Sequence, residues 1–451
     1  MARSTALALA LLVAIPSRSA RSLAPASDDS DAREYATERV TLPAVPHSQR
    51  PDRAPLHVVG DALRLGDATF PCSLERGTLR VATSDGGRPR KKVGAGKAVE
   101  LAWKDASGRR EVAVRFVRDD EGTWRWFVAT AHEVEIAGET IRLVDCDGDG
   151  RFGELDADGY CVGESTAVVP LQGELVLGTR IVSIESVAPD GGSVVASVRR
   201  VEGTPQQLAA LLEINRARTA NGLTPVRLDP ELSAACTAHA QYLELHGWDG
   251  RTDPHDQTLG PKGATPEGRE AAQRSNIVRG RVIGAGEGFW RTYYHRIPMM
   301  HPGLDRIGVN AEPEHIGVLD VGEGLFAEIG RRWTWDWSVP VSVPADGAVD
   351  FPTSARGELP QEPVPDLSSR GCPIMLQFRE SEPPLVDFAG TLRREPGGEV
   401  PVLVADSWRY ADTYGIVPER PLEPGTWYVA ELSWTAAGER VTRRLRFRTQ
   451  E

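Results

Sequence analysis

At Thr204 the hydrophobic period of this chain changes from two residues to 3.6, and the two sides of that point cannot share one architecture. Upstream, from about 52 to 200, short alternating runs (LRVATS, AVELAWKD, REVAVRFVRD, WRWFVATA, VEIAGETIRLVD, GELVLG, RIVSIESV, SVVASVRR) are separated by DG, GG and AG turns. Alternation puts every second side chain on one face, so an antiparallel β domain is expected there. Downstream, Thr204 supplies an N-cap hydroxyl, Pro205 the N1 proline and Gln207 an N3 partner, and Gly222 is the stop. LAALLEINRARTAN between them is rich in strong helix formers. After the short TPVRL strand, Asp229-Pro230 caps a second helix. Leu232, Ala235, Cys236, His239 and Leu243 follow at one-face spacing.

Strands return in HIGVLDVG and FAEIGRRWTWDWSV. The Pro-rich stretch DFPTSARGELPQEPVPDLSSRGCP then opens a last β segment with PIMLQFRE, LVDFAGTLRRE, VPVLVAD, TWYVAELSWT and VTRRLRFRT. Its ending, PLEPGTWYVAELSW…RRLRFRT, resembles a bacterial immunoglobulin-like or fibronectin-like sandwich, a fold that hosts many functions. Alternation puts Trp333, Trp335 and Trp337 on one face, more often a buried sheet face than a carbohydrate platform.

The N-terminus reads as a targeting segment. Arg3 gives a short basic region, ALALALLVAI an apolar one, and Ser22-Leu23-Ala24 a small-x-small cleavage site. No later run approaches the ~18 apolar residues of a spanning helix. Residues 25–51 are polar and Pro-punctuated, as in a linker or loosely attached arm. A formal net charge of −12 argues against nucleic acid or an anionic membrane as partner. RPRKK at 88–92 reads as a solvated hairpin tip. Five cysteines make no disulfide scaffold and leave one over. Cys146 and Cys161 are the candidate pair in an oxidising compartment, and Cys236 is a small core residue on its helix.

The order LLEINRARTANGLTPVRLDPELSAACTAHAQYL, then His255, SNI and YHRIPMMHPGLDRIGV resembles the CAP superfamily of cysteine-rich secretory, antigen 5 and pathogenesis-related proteins, in its bacterial secreted branch. The resemblance covers about a quarter of the chain. It implies a three-layer α-β-α sandwich with a shallow groove between two histidines, matched here by His255 and His295. It also implies two groove glutamates, and these do not carry over. Arg274-Ser275-Asn276 stands where the family has Gly-Glu-Asn, and Phe289-Trp290-Arg291-Thr292 where it has Trp-x-x-Glu. Glu267, Glu270 and Glu287 lie nearby in sequence as substitutes. Two neutral imidazoles can hold Zn²⁺ weakly; the bland alternative has both bonded to backbone. A Ser275–histidine pair lacks an assigned orienting carboxylate.

A second constellation is DCDGDGRFGELD. Asp145, Asp147 and Asp149 occupy positions 1, 3 and 5 of a calcium loop, Gly150 the sharp turn, Arg151 the carbonyl position and Asp156 position 12. The loop resembles dockerin and EF-hand loops, with Asp for Glu at the end and a strand (TIRLV) in front. Asp and Gly also build plain hairpins. Calcium is favoured because three close, unpaired carboxylates otherwise repel. Among other histidines, His239 is expected in the core, His246 at its helix end, and His301 and His315 in solvent. GxSxG, HExxH and P-loop signatures are absent, and GAGEG at 284–288 reads as a loop.

These readings combine into a secreted or periplasmic multidomain protein. It has a signal peptide (1–24), an arm (25–51), an antiparallel β domain with the acidic loop (52–202), a CAP-like α-β-α sandwich (203–342) and an immunoglobulin-like β-sandwich (343–451). The expected role is extracellular binding of an apolar or lipidic ligand or a surface protein. The rival is a hydrolase, most simply a peptidase, working from the His255/His295 groove.

Overall fold

The computed structural model describes residues 38–451 except 44, 49–55, 107, 119–121, 250–252, 259, 281, 285–286, 311–315, 323–339, 360, 379–384, 406–412 and 437. The signal segment, His315 and the Trp333, Trp335 and Trp337 stripe lie outside the described residues.

The alternating first part folds as antiparallel sheets. Glu174–Leu177, Arg180–Val187 and Ser193–Arg200 pair in sequence. So do Ala98–Asp105, Gly108–Arg118 and Trp124–Val128. Thr130–Ile136, Glu139–Val144 and Gly159–Val162 form the core of a third sheet, which carries the acidic loop on its second connection. Inward residues such as Leu101, Val114, Phe116, Ile141 and Val182 are fully buried in one cluster, as period two requires. The expected arm is corrected in part: Glu38–Pro43 adds a strand beside 193–200, and Val45–Ser48 one beside 130–133. Both cover edges that would otherwise expose unpaired backbone.

The helical part begins where its caps predict. Helix α1 (Pro205–Thr219) carries a complete capping box: Thr204 N–H donates to the Gln207 side chain, and Gln207 N–H to the Thr204 hydroxyl. Helix α2 (Pro230–Leu245) starts on Asp229, whose carboxylate accepts from the N–H groups of Glu231 and Leu232. Helix α3 spans Pro266–Arg274, and α4 only Arg296–Met299. The sheet between them runs 227–228, 306–309, 316–320, 275–279, with the first pair parallel. Strand Ile316–Asp320 shows how it is covered on both faces. Ile316 and Val318 share a buried cluster with Cys236, Ala240 and Leu243 of α2, while Leu319 and, just past the strand, Val321 belong to the larger cluster that holds Leu211 and Ile214 of α1. Gly308 lets α2 lie this close, because a Cβ there would fall 2.4 Å from the Leu232 carbonyl carbon.

Two four-stranded sheets make the last part: 341–343, 374–377, 413–418, 402–404, and 399–400, 386–395, 427–436, 439–448. Val341–Val343 pairs with 375–377 and so belongs here rather than to the helical part. The core does not stop at that border. Leu211, Tyr293, Met299 and Leu319 lie in one buried cluster with Met375, Ile416, Leu432 and Phe447.

Candidate functional site

His239 anchors the first half of the site. It is fully buried on α2, with Nδ1 against Gln257 Oε1 at 2.7 Å and Nε2 against the Pro254 carbonyl at 2.9 Å. Burial, with His255 close by, lowers its pKa. The expected core histidine therefore pins the loop 254–257 to α2. Gln257 pins the same loop to the start of α3 through the Thr265 carbonyl, 3.0 Å away.

Between those two anchors sits His255, which the fold leaves exposed. Its Nδ1 lies 2.6 Å from the carbonyl of Ala272, in the last turn of α3. A carbonyl can only accept, so Nδ1 carries a hydrogen and leaves Nε2 as the ring's uncommitted nitrogen.

His295 reaches the same end of α3 by another route. It precedes the short helix α4 instead of ending a long one. Its backbone carbonyl accepts from the Asn276 side chain at 2.7 Å, two residues past α3. The ring stacks on Phe289 with centroids 5.3 Å apart. Its Nδ1 meets Oε1 of Glu358 at 2.9 Å, and the Glu358 side chain is wholly buried. Oε2 of Glu358 accepts from Tyr293 N–H at 2.7 Å; Oε1 accepts from Tyr294 N–H at 2.8 Å and His295 N–H at 3.3 Å. Glu358 thus gathers three successive backbone donors and one imidazole.

This carboxylate was invisible to motif spacing. It comes from the Pro-rich stretch that reads as an interdomain opening, and nearby bonds hold that stretch down. Arg291 donates to the Ser354 carbonyl and hydroxyl and to the Ala355 carbonyl. Buried Arg296 donates to the Pro373 carbonyl at 2.7 Å.

Among the described side chains, none of the other candidate residues is hydrogen-bonded to either histidine. Ser275 is buried and its hydroxyl makes no hydrogen bond to either histidine, so the Ser–His pair is not formed. Burial pushes the Cys236 thiol up to about 12, as fits a core cysteine. Glu267 and Glu270 are exposed on α3. Glu287 is in a two-residue strand that makes a tiny hairpin of the expected GAGEG loop, and its side chain lies outside the described residues. His246 caps α2 and meets the Lys262 carbonyl at 3.0 Å. His301, expected in solvent, is buried: Gly303 N–H donates to its Nδ1, and burial beside Arg218 pushes it down to about 4.

In the acidic loop, ligand oxygens of Asp145, Asp147 and Asp149 lie within 4.8 Å of one another, the one such acidic, His or Cys cluster among the described residues. Gly150 makes the sharp turn at φ 80°. Asp145 accepts from Gly148 and Gly150 N–H at 2.6 and 2.7 Å. Arg151 places its N–H on Asp149 at 2.7 Å. Asp156 is exposed and outside the cluster, whereas Asp158 is 1% exposed beside it. Burial, with Asp147 and Asp149 near, pushes Asp158 up to about 7, and burial plus Asp158 raises Asp145 strongly. Cys146 and Cys161 share a buried cluster with unjoined thiols.

Residues 211–314 match the Cysteine-rich secretory protein family, CAP. A search of curated proteins finds no match to the chain.

Proposed function

The chain carries a CAP-family domain, and on that premise we propose that it is an extracellular binding protein whose CAP domain takes an apolar or lipidic ligand or a surface partner between His255 and His295. The observation that supports binding over hydrolysis is how the site's polar atoms are committed. Both Nδ1 atoms are tied to acceptors inside the protein. Ser275 is buried away from both rings' bonds, and Glu358 is occupied by three backbone N–H groups. What the described bonds leave uncommitted is Nε2 of each ring, with no nucleophile hydrogen-bonded to it.

Those two nitrogens are a donor set that Zn²⁺ accepts, and tied Nδ1 atoms are the usual partners of metal-bound imidazoles. Without a third described ligand nearby, binding would be weak. The test is full-length protein assayed against fluorogenic peptides and a fluorescent fatty acid. Saturable lipid binding without cleavage is expected. Cleavage that vanishes in His295→Ala would establish the hydrolase instead.

A second reading concerns the acidic loop. We propose that it takes calcium: the donors are all oxygen, as a hard cation requires, and three carboxylates converge within 4.8 Å. Asp158 rather than Asp156 is the fourth carboxylate at hand. We read the last two sheets as the immunoglobulin-like sandwich and residues 1–24 as an export signal. Mass spectrometry of secreted protein would test the latter, and recovery of Met1 would count against it.

A further inference from the structure

RPRKK does not stand alone in the fold. Strand Lys91–Lys92 pairs with Thr78–Val81, which pairs with Ala68–Glu75. Lys92 lies directly opposite Arg80, and Thr78 opposite Glu75. Opposed residues share a face and residues two apart return to it. Leu79, Val81 and Phe70 fill the inner face of this sheet. The outer face holds a shallow cavity of about 580 Å³ lined by Glu75, Arg76, Thr78, Arg80 and Lys92.

The lining carries three cations, Arg76, Arg80 and Lys92, against the one carboxylate of Glu75. Arg80 is steadied by donating to the Arg90 carbonyl at 3.2 Å. Among the described residues, none of Arg76, Arg80, Arg90, Lys91 or Lys92 has an ion-pair partner. Like charges directly opposite on a sheet repel. The chain has 64 acidic residues against 52 basic ones, yet leaves this opposed pair free. Such a site is satisfied by an anion from outside.

The surroundings select which anion. A bilayer or duplex is a broad negative surface and would face the rest of an acidic molecule. No aromatic side chain lines the cavity, so base stacking has no platform. Glu75 beside the cations would repel a dense polyphosphate, and both it and the Thr78 hydroxyl can accept from hydroxyl groups. Alternating anions and hydroxyls are the chemistry of charged sugars. We propose that this face binds a strand of acidic polysaccharide, with carboxylate or sulfate groups on Arg80 and Lys92 and hydroxyl groups on Glu75 and Thr78.

The test is calorimetric titration of the full-length chain with hexagalacturonate, which offers carboxylates alone, and with a heparin hexasaccharide, which adds sulfates. Saturable binding of one or both is expected, falling with salt as released counterions require. Arg80→Gln with Lys92→Gln should weaken it at least about tenfold, since two charge-assisted contacts are lost. The double variant should stay folded, since it loses a surface like-charge pair and the single bond from Arg80 to the Arg90 carbonyl. No saturable binding of either sugar, binding unchanged in that variant, or tighter binding of polyphosphate, oligothymidylate or phosphatidylserine vesicles than of either sugar would overturn the proposal.

Discussion

The imidazole of His295 and the carboxylate of Glu358 meet at 2.9 Å although 63 positions separate them in sequence. One comes from the segment matching the CAP family and the other from the stretch that follows it.

Glu358→Ala should therefore destabilise far more than a surface change. It strands three buried backbone N–H groups and one imidazole nitrogen, each worth about 1–3 kcal/mol when left unmade. A loss above ~3 kcal/mol is expected in urea unfolding, with Glu358→Gln intermediate. A loss below about 1 kcal/mol would mean that this carboxylate does not dock the 353–373 stretch.

Arg218 makes a comparable lock inside the CAP-family part. It is fully buried and donates to the carbonyls of Thr224, Met299, His301 and Leu304, each at 2.9 Å. Burial lowers it to about 9, still protonated at neutral pH. Arg218→Met leaves those acceptors unpaired and should cost about 3 kcal/mol or more, read from the unfolding midpoint.

The acidic loop predicts an inverted pH response. Asp158 titrates at about 7 in the fold against about 3.9 unfolded. The folded state therefore binds more protons in that window, and calcium-free stability falls as pH rises from about 4 through 7. Calcium should raise the melting temperature, more at pH 8 than at pH 5, because the ionised loop is the form that binds it. Asp147→Ala with Asp149→Ala should remove that rise. An equal melting temperature with and without millimolar calcium at pH 8 would leave the plain hairpin.

His301 works in the other direction. Its folded value of about 4 lies below about 6.5 in the unfolded chain. The folded state binds fewer protons there, so this stability is present above pH 6.5 and is lost as pH falls toward 4. His301→Asn should flatten that acid limb. NMR titration of His301 near 6.5 in the folded protein would contradict its burial.

Much of this was readable from the chain itself. Thr204, Pro205 and Gln207 mark the start of α1, and Asp229 that of α2, because caps act through bonds spanning only two or three residues. Strands such as 98–105 and 108–118 declare themselves by alternation. What escaped lacks local signal. Strand Thr413–Pro418, the middle of the last part's first sheet, is a short TYGIVP run with glycine inside and proline at its end. Glu358 sits in a Pro-rich stretch without period, and only tertiary packing brings it to His295. His301 follows a turn signal, yet the adjoining Arg218 lock buries it.

The core shared between the CAP-family part and the last two sheets limits how this protein can be divided or borrowed. A fragment cut where the family match ends, at residue 314, would carry both histidines but bare the faces of Tyr293 and Met299 that rest in that core. It would also lack the acid that holds the His295 ring. A different neighbour grafted onto this segment would have to bring its own carboxylate and its own apolar wall to the same few residues.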